Sequence, residues 1–213
     1  MLKVETLIFN PFQENTYLVY DDTGETLIID PGCHNPSEQK WLSQKIKTLH
    51  LKPVKLINTH CHIDHVLGNR YVAEHYDLNL EIPLREVPVL NTVSQIAQMY
   101  GIAYNDPSPE PSSYLDEKVP VIFGNSKLYV YDTPGHSPGS ISLFHEPSKT
   151  LIAGDVLFKG SIGRTDLPGG DYDTLIQSIK QKLFKLPDET TVYPGHGPTT
   201  TIGYEKIHNP FLS

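Results

Sequence analysis

The chain has 213 residues, enough for a sizeable core arranged as one large domain or two small ones. Its 38% apolar and 20% charged residues are the proportions of a water-soluble globular protein, which excludes a disordered or fibrous chain. A formal charge of −8, from 25 acids against 17 bases, argues against nucleic-acid binding through a general basic surface, and no apolar run reaches the length of a membrane-spanning helix.

The opening Met1-Leu2-Lys3-Val4-Glu5-Thr6-Leu7 is too short and too charged for the core of a signal peptide and reads as a strand. Three strands fit the first thirty residues: Lys3 to Phe9, Thr16 to Tyr20 and Thr26 to Ile29, separated by Asn10-Pro11 and Asp21-Asp22-Thr23-Gly24. Asp30-Pro31-Gly32 ends the third. Ser37 can cap a helix running to about Leu49, with Trp41, Leu42, Ile46 and Leu49 on one apolar face. Pro53 closes that unit and Lys55 to Asn58 is the next strand.

A short helix fits Asn69 to Tyr76, and a longer one Pro83 to Tyr100, where Val87, Leu90, Val93, Ile96, Ala97 and Tyr100 recur at helical spacing. Tyr104 to Pro111 is a surface loop of a kind that shapes access to a site or simply connects elements. Strands fit Val119 to Phe123, Leu128 to Asp132, Ser140 to Phe144 and Leu151 to Ala153. A helix from about Tyr172 to Phe184 and a strand at Thr191 to Tyr193 follow. Two runs of strands, each followed by helices, predict two packed sheets with helices outside, an αββα sandwich, in a single domain over residues 1–213. There is no internal repeat. The only cysteines, Cys33 and Cys61, read as two reduced thiols of a cytoplasmic protein.

Four loops, each after a predicted strand and rich in Gly or Pro, carry metal-ligand atoms. They are His60-Cys61-His62-Ile63-Asp64-His65, Thr133-Pro134-Gly135-His136, Ala153-Gly154-Asp155 and Tyr193-Pro194-Gly195-His196-Gly197. Imidazole nitrogen and carboxylate oxygen suit zinc, and imidazole also suits iron. A single His after Pro-Gly is commonly a solvated loop residue, and a lone Asp155 could cap a turn. Three histidines and an acid within six residues are different, because together they desolvate and repel one another without a cation.

On those residues the chain resembles the metallo-β-lactamase-fold hydrolases, through His-x-His-x-Asp-His at 60–65 and the later His136, Asp155 and His196. Gly154-Asp155-Val156-Leu157-Phe158 and Gly163-Arg164-Thr165-Asp166-Leu167-Pro168-Gly169-Gly170 are similar to the short glyoxalase II-like members, hydroxyacylglutathione hydrolases of the single-domain kind. The resemblance implies two divalent metal ions, zinc first and iron as the other option. His60, His62 and His136 would hold the first, Asp64, His65 and His196 the second, and Asp155 would bridge them. Asp30 would hold a ligand histidine by hydrogen bonding; alternatively it is a turn aspartate.

Two metals roughly 3.5–4 Å apart can share one water and bring its pKa from about 15.7 towards about 7, with Asp64 orienting the nucleophile. A thioester suits such a site because its thiolate leaves without a strong general acid, so a small-molecule thioester is the expected substrate. Arg164, nine residues after Asp155, lies where the resemblance places a base that meets a glutathione carboxylate; alternatively it is tied to Asp166 or Asp171. Asp166 replaces the family's usual aromatic, and the helical C-terminal domain of full-length glyoxalase II does not follow Pro210-Phe211. Both imply either low affinity for glutathione thioesters or another thiol as the natural carrier. Two alternatives stand beside this reading: a mononuclear iron persulfide dioxygenase of the same fold, and a non-catalytic metal-binding interaction module.

Overall fold

The computed structural model describes residues 1–212 and forms two compact units, one of residues 1–114 with 122–126, the other of residues 115–121 with 127 onward. In the first, strands β1 (Lys3–Phe9), β2 (Glu14–Tyr20) and β3 (Glu25–Ile29) form an antiparallel meander. Helix α1 (Pro36–Thr48) then carries the chain back, so β4 (Lys52–Ile57) adds parallel to β3, with Ile29 beside Ile57. Parallel neighbours require such a crossover. The short α2 (Ile63–Val66) and α3 (Asn69–Tyr76) make the next one, and β5 (Leu80–Pro83) pairs parallel to β4. A 3-10 turn (Leu84–Glu86) leads into α4 (Val87–Tyr100), and β6 (Ser113–Leu115) completes the sheet order β1-β2-β3-β4-β5-β6. Leu18, Ile28 and Leu56 pack with Leu42 of α1 and Val72 of α3 in a fully buried core.

Strand β7 (Val121–Phe123) opens a hairpin into β8 (Ser126–Asp132). The second unit repeats the plan of the first. Its antiparallel β8, β9 (Ile141–His145) and β10 (Thr150–Gly154) are followed by a small hairpin of β11 (Leu157–Phe158) and β12 (Ser161–Ile162). Helix α5 (Tyr172–Gln181) then crosses over, and β13 (Thr191–Pro194) joins parallel to β10. Strand β14 (Thr200–Thr201) and helix α6 (Ile202–His208) end the fold. Leu151, Leu175, Ile179, Val192 and Ile202 form the core of this unit.

Several boundaries differ from the sequence expectations. Asn35, not Ser37, caps α1: its side chain accepts from the Ser37 and Glu38 amides, and Pro36 occupies the first helical turn, where a missing N–H costs nothing. Trp41 is half exposed, edge-on to Phe9 at 5.4 Å, so the buried stripe of α1 is carried by Leu42 and Ile46. Pro53 lies inside β4, at a register shift between Thr26 and Leu27 where the ladder does not need its amide. The segment from Pro83 to Glu86 is not α-helical: Leu84–Glu86 is a 3-10 turn, and the α-helix starts at Val87. No helix of the described residues is long and apolar enough to cross a membrane.

Candidate metal centre

Parallel pairing brings the carboxyl ends of neighbouring strands to one edge, which is where open α/β sheets place their sites. In the first unit Asp30 follows β3 and His60 follows β4, its parallel neighbour. In the second, Asp155 follows β10 and His196 follows β13, tied by the Gly195 amide donating to the Gly154 carbonyl at 2.9 Å. One rule of topology thus delivers four of the predicted residues.

The histidine loop is closely packed. The His60 ring lies 4.9 Å from that of His62 and 4.1 Å from that of His65. Donor atoms of Asp30, His60 and His65 lie within 4.8 Å of one another, all buried. Asp30 organises this group. The Thr59 amide donates to its Oδ1 at 2.7 Å, the Thr59 hydroxyl to its Oδ2 at 2.6 Å, and His65 Nδ1 to the same Oδ2 at 3.2 Å. The Thr59 proton is spent on Asp30, so at 3.1 Å from His60 Nδ1 its oxygen accepts. Both histidines therefore carry the proton on Nδ1 and present a lone pair at Nε2. Asp30 adopts a left-handed φ of 51°, a conformation that Asp tolerates better than most residues.

In the second unit His136 Nδ1 donates to the Arg164 carbonyl at 2.7 Å, which again leaves the lone pair on Nε2. That nitrogen lies 3.5 Å from Asp155 Oδ2, and His196 Nε2 lies 3.6 Å from the same oxygen. Likewise His65 Nε2 is 3.5 Å from Asp64 Oδ2. Where Nδ1 carries the proton, as in His65 and His136, Nε2 and the carboxylate oxygen are both acceptors that repel at this distance, and a shared cation turns the repulsion into coordination. The donor set fits a divalent metal.

Arg164 is exposed, and its guanidinium forks onto Asp166 through Nε and Nη2, both at 2.7 Å. That pairing holds the Asp166 carboxyl down at about 2. Asp171 is not a partner of this pair; it caps α5 by accepting from the Thr174 amide. Gly163 lets the Arg164 loop approach, because a Cβ there would stand 1.9 Å from the Asp155 carbonyl.

Sequence reasoning passed over several residues here. Buried Glu86 accepts from the Cys61 amide at 2.8 Å and so holds the main chain between His60 and His62. Glu14 is fully buried, 4.0 Å from His65 Nδ1, and burial pushes its carboxyl well above the usual range. The signal for both was a carboxylate inside or beside an apolar run, where an unpaired charge is costly. Cys33 and Cys61 are free and buried, and burial first, then nearby carboxylates, raises both thiols far above their ordinary range.

The profile of the Metallo-beta-lactamase superfamily matches residues 9–196. A hydroxyacylglutathione hydrolase, GloC, of Haemophilus influenzae is 35% identical over all of this chain and 99% of its own length. Among solved structures, the BLEG-1 B3 metallo-beta-lactamase superposes with a TM-score of 0.89 at 34% identity, over 99% of this chain and all of that one. TTHA1623 in a di-iron-bound form superposes with a TM-score of 0.87 at 39% identity, over 98% of this chain and all of that one. The expected fold is the one found, and the chain belongs to the metallo-β-lactamase superfamily of metallo-hydrolases.

Proposed function

We propose that this chain is a two-metal thioester hydrolase acting on a small hydroxyacyl-thiol whose thiol carrier bears a carboxylate. His60, His62 and His136 would hold one ion, Asp64, His65 and His196 the other, with Asp155 shared and the whole working as one catalytic domain. The observation that carries the metal reading is the set of imidazole Nε2 atoms facing carboxylate oxygens at 3.5 to 3.6 Å. The thioester class rests on the full-length likeness to the Haemophilus influenzae hydrolase.

When bound, the ions supply a Lewis acid for the scissile carbonyl and a water acidic enough to act as nucleophile at neutral pH. The chain's own residues do the rest. Asp64 accepts a hydrogen bond from the attacking water and sets its direction. Asp30 keeps the His65 proton on Nδ1, and the Arg164 carbonyl does the same for His136, so neither imidazole is lost to the wrong tautomer. Arg164 receives the carrier's carboxylate with the same fork it now offers Asp166.

The likeness to ETHE1 from Myxococcus xanthus, 27% identical with a TM-score of 0.78 over 98% of this chain, supports a second reading, a single-iron persulfide dioxygenase. One preparation, purified without added metal, separates the two. Mass spectrometry gives the metal content, and the same sample is assayed on lactoylglutathione and on glutathione persulfide. Two ions per chain with hydrolysis abolished by Asp64→Asn supports the proposal. One iron with oxygen consumption on the persulfide replaces it with the dioxygenase. No turnover of either substrate after loading with zinc or iron would make the chain a binding module.

A further inference from the structure

Helix α2 has four residues and carries Asp64 and His65, yet it is too short to satisfy its own carbonyls. Three side chains from three other segments do so in consecutive order. Asn10, in the β1–β2 turn, donates Nδ2 to the Asp64 carbonyl at 2.9 Å. Asn58, after β4, donates Nδ2 to the His65 carbonyl at 2.9 Å. Ser108, in the loop after α4, donates its hydroxyl to the Val66 carbonyl at 3.4 Å.

Each donor is itself locked. Asn10 also donates to the Gly32 carbonyl at 3.1 Å, accepts from the Phe12 amide at 3.0 Å, and sits at a φ of 53° that suits asparagine. The Asn58 amide cannot be flipped, because Nδ2 faces an obligate acceptor while its Oδ1 accepts from Asn69 Nδ2 at 2.7 Å. The second proton of Asn69 Nδ2 goes to the Ser108 hydroxyl at 3.1 Å. Tyr104 closes the chain: its oxygen accepts from the Ser108 amide at 2.8 Å and lies 2.9 Å from the Ser108 hydroxyl.

We propose that Asn10, Asn58 and Ser108, with Asn69 as the relay, are positioning residues for Asp64 and His65, and that the loop at 102–112 is part of the metal site's scaffold. The assignment rests on the two-metal reading above. None of the four side chains is a proposed ligand; Asn10, Asn58 and Ser108 each act through a main-chain carbonyl of the ligand-bearing turn, and Asn69 acts through Asn58 and Ser108. Asn10 and Ser108 act on one ion selectively, because His60 and His62 precede this turn and are held instead through Thr59 and Glu86, whereas Asn58 also reaches Asp30 Oδ1 at 3.5 Å.

The test is a cobalt(II) titration of the metal-stripped full chain against a competing chelator, followed by the visible spectrum of the bound ion. Two binding steps are expected for the wild type. Asn10→Asp is nearly isosteric but turns a donor towards two carbonyls into an acceptor. It should weaken one step by roughly 10- to 100-fold, the range of an outer-sphere partner, and leave the other within a few-fold. Ser108→Ala, losing the longest of the three bonds, should show a smaller loss of the same step, and Ser108→Thr, which keeps the hydroxyl, should restore it. Folding is checked by thermal melts of the stripped proteins; if Asn10→Asp fails to fold, the Ser108 pair decides alone. Unchanged affinities, or equal losses at both steps, overturn the assignment while leaving the two-metal reading intact. A wild-type chain that binds only one cobalt ion overturns both.

Discussion

At Gly32 there is no room for a methyl group. A Cβ would stand 2.1 Å from Glu14 Oε2, 2.5 Å from Asn10 Nδ2 and 2.8 Å from the Asp64 carbonyl. All three neighbours are buried or tethered, so none retreats cheaply. Gly32→Ala should cost about 1–3 kcal/mol of stability, measured by urea denaturation, and should weaken the metal at Asp64 more than the one at His60. The close grouping of His60 with His62 and His65 was legible from sequence, because three imidazoles and a carboxylate in six residues have few uses other than a cation. Asn10 and Ser108 were not legible. They meet their carbonyls across 54 and 42 residues of sequence, and no local pattern encodes such a pairing. Arg164 stood between two readings, substrate base or structural arginine; its fork onto Asp166 is geometry that spacing does not disclose.

Elements were legible where local chemistry decides them and illegible where distant pairing does. Lys3–Phe9 and Asn69–Tyr76 are found as expected, one from β-branched and aromatic residues, the other from helical spacing. Strand β5 exists because β4 offers it a parallel edge, so a short run before Pro83 carried no strand signal of its own. Helix α2 likewise owes its form to side chains from elsewhere. Two distant turns are also joined by one carboxylate. Asp21 in the β2–β3 turn accepts from the Thr23 amide and hydroxyl, from the Asn125 amide at 2.7 Å and from the Ser126 hydroxyl at 2.9 Å. Burial pushes its pKa up, but these four donors together outweigh burial and bring it from 3.8 down to about 2. A native value below the unfolded one means that the contribution is complete above about pH 4 and disappears as the pH falls through 2. The shift corresponds to about 2 kcal/mol. Urea melts of wild type and Asp21→Asn should therefore differ by about that amount at pH 7 and converge near pH 2.

Across the whole molecule, four of the candidate ligands belong to the first unit and three to the second, and both units follow one plan: a meander, a helical crossover and a parallel strand whose end carries candidate ligands. The rhythm of strands and helices gave the architecture away, since a crossover helix after antiparallel strands predicts a parallel neighbour. An ion that binds the folded chain and not the unfolded one adds stability by mass action, about 2.7 kcal/mol at a free concentration 100-fold above its dissociation constant. Stripping the metal with a chelator should lower the melting temperature by roughly 5–11 °C for a chain of this length, and zinc or iron should restore it. An unchanged melting curve would mean that the ligands are held together by the protein alone.

On the proposed role of Arg164, its fork with Asp166 makes the protein its own competitor. A carboxylate two residues away meets the guanidinium as an intramolecular partner, at an effective concentration that dilution does not lower. Because the pair is exposed, its hold is weak, so the tax on an incoming carboxylate is a few-fold rather than orders of magnitude. Asp166→Asn should lower the KM for a carboxylate-bearing thioester by up to about five-fold, with kcat little changed, in steady-state assays at low salt. A thioester without a carboxylate should not notice the change. In this view Asp166 sets a modest threshold: a carboxylate whose carrier is also anchored at its acyl end displaces the resident one more readily than a free anion does.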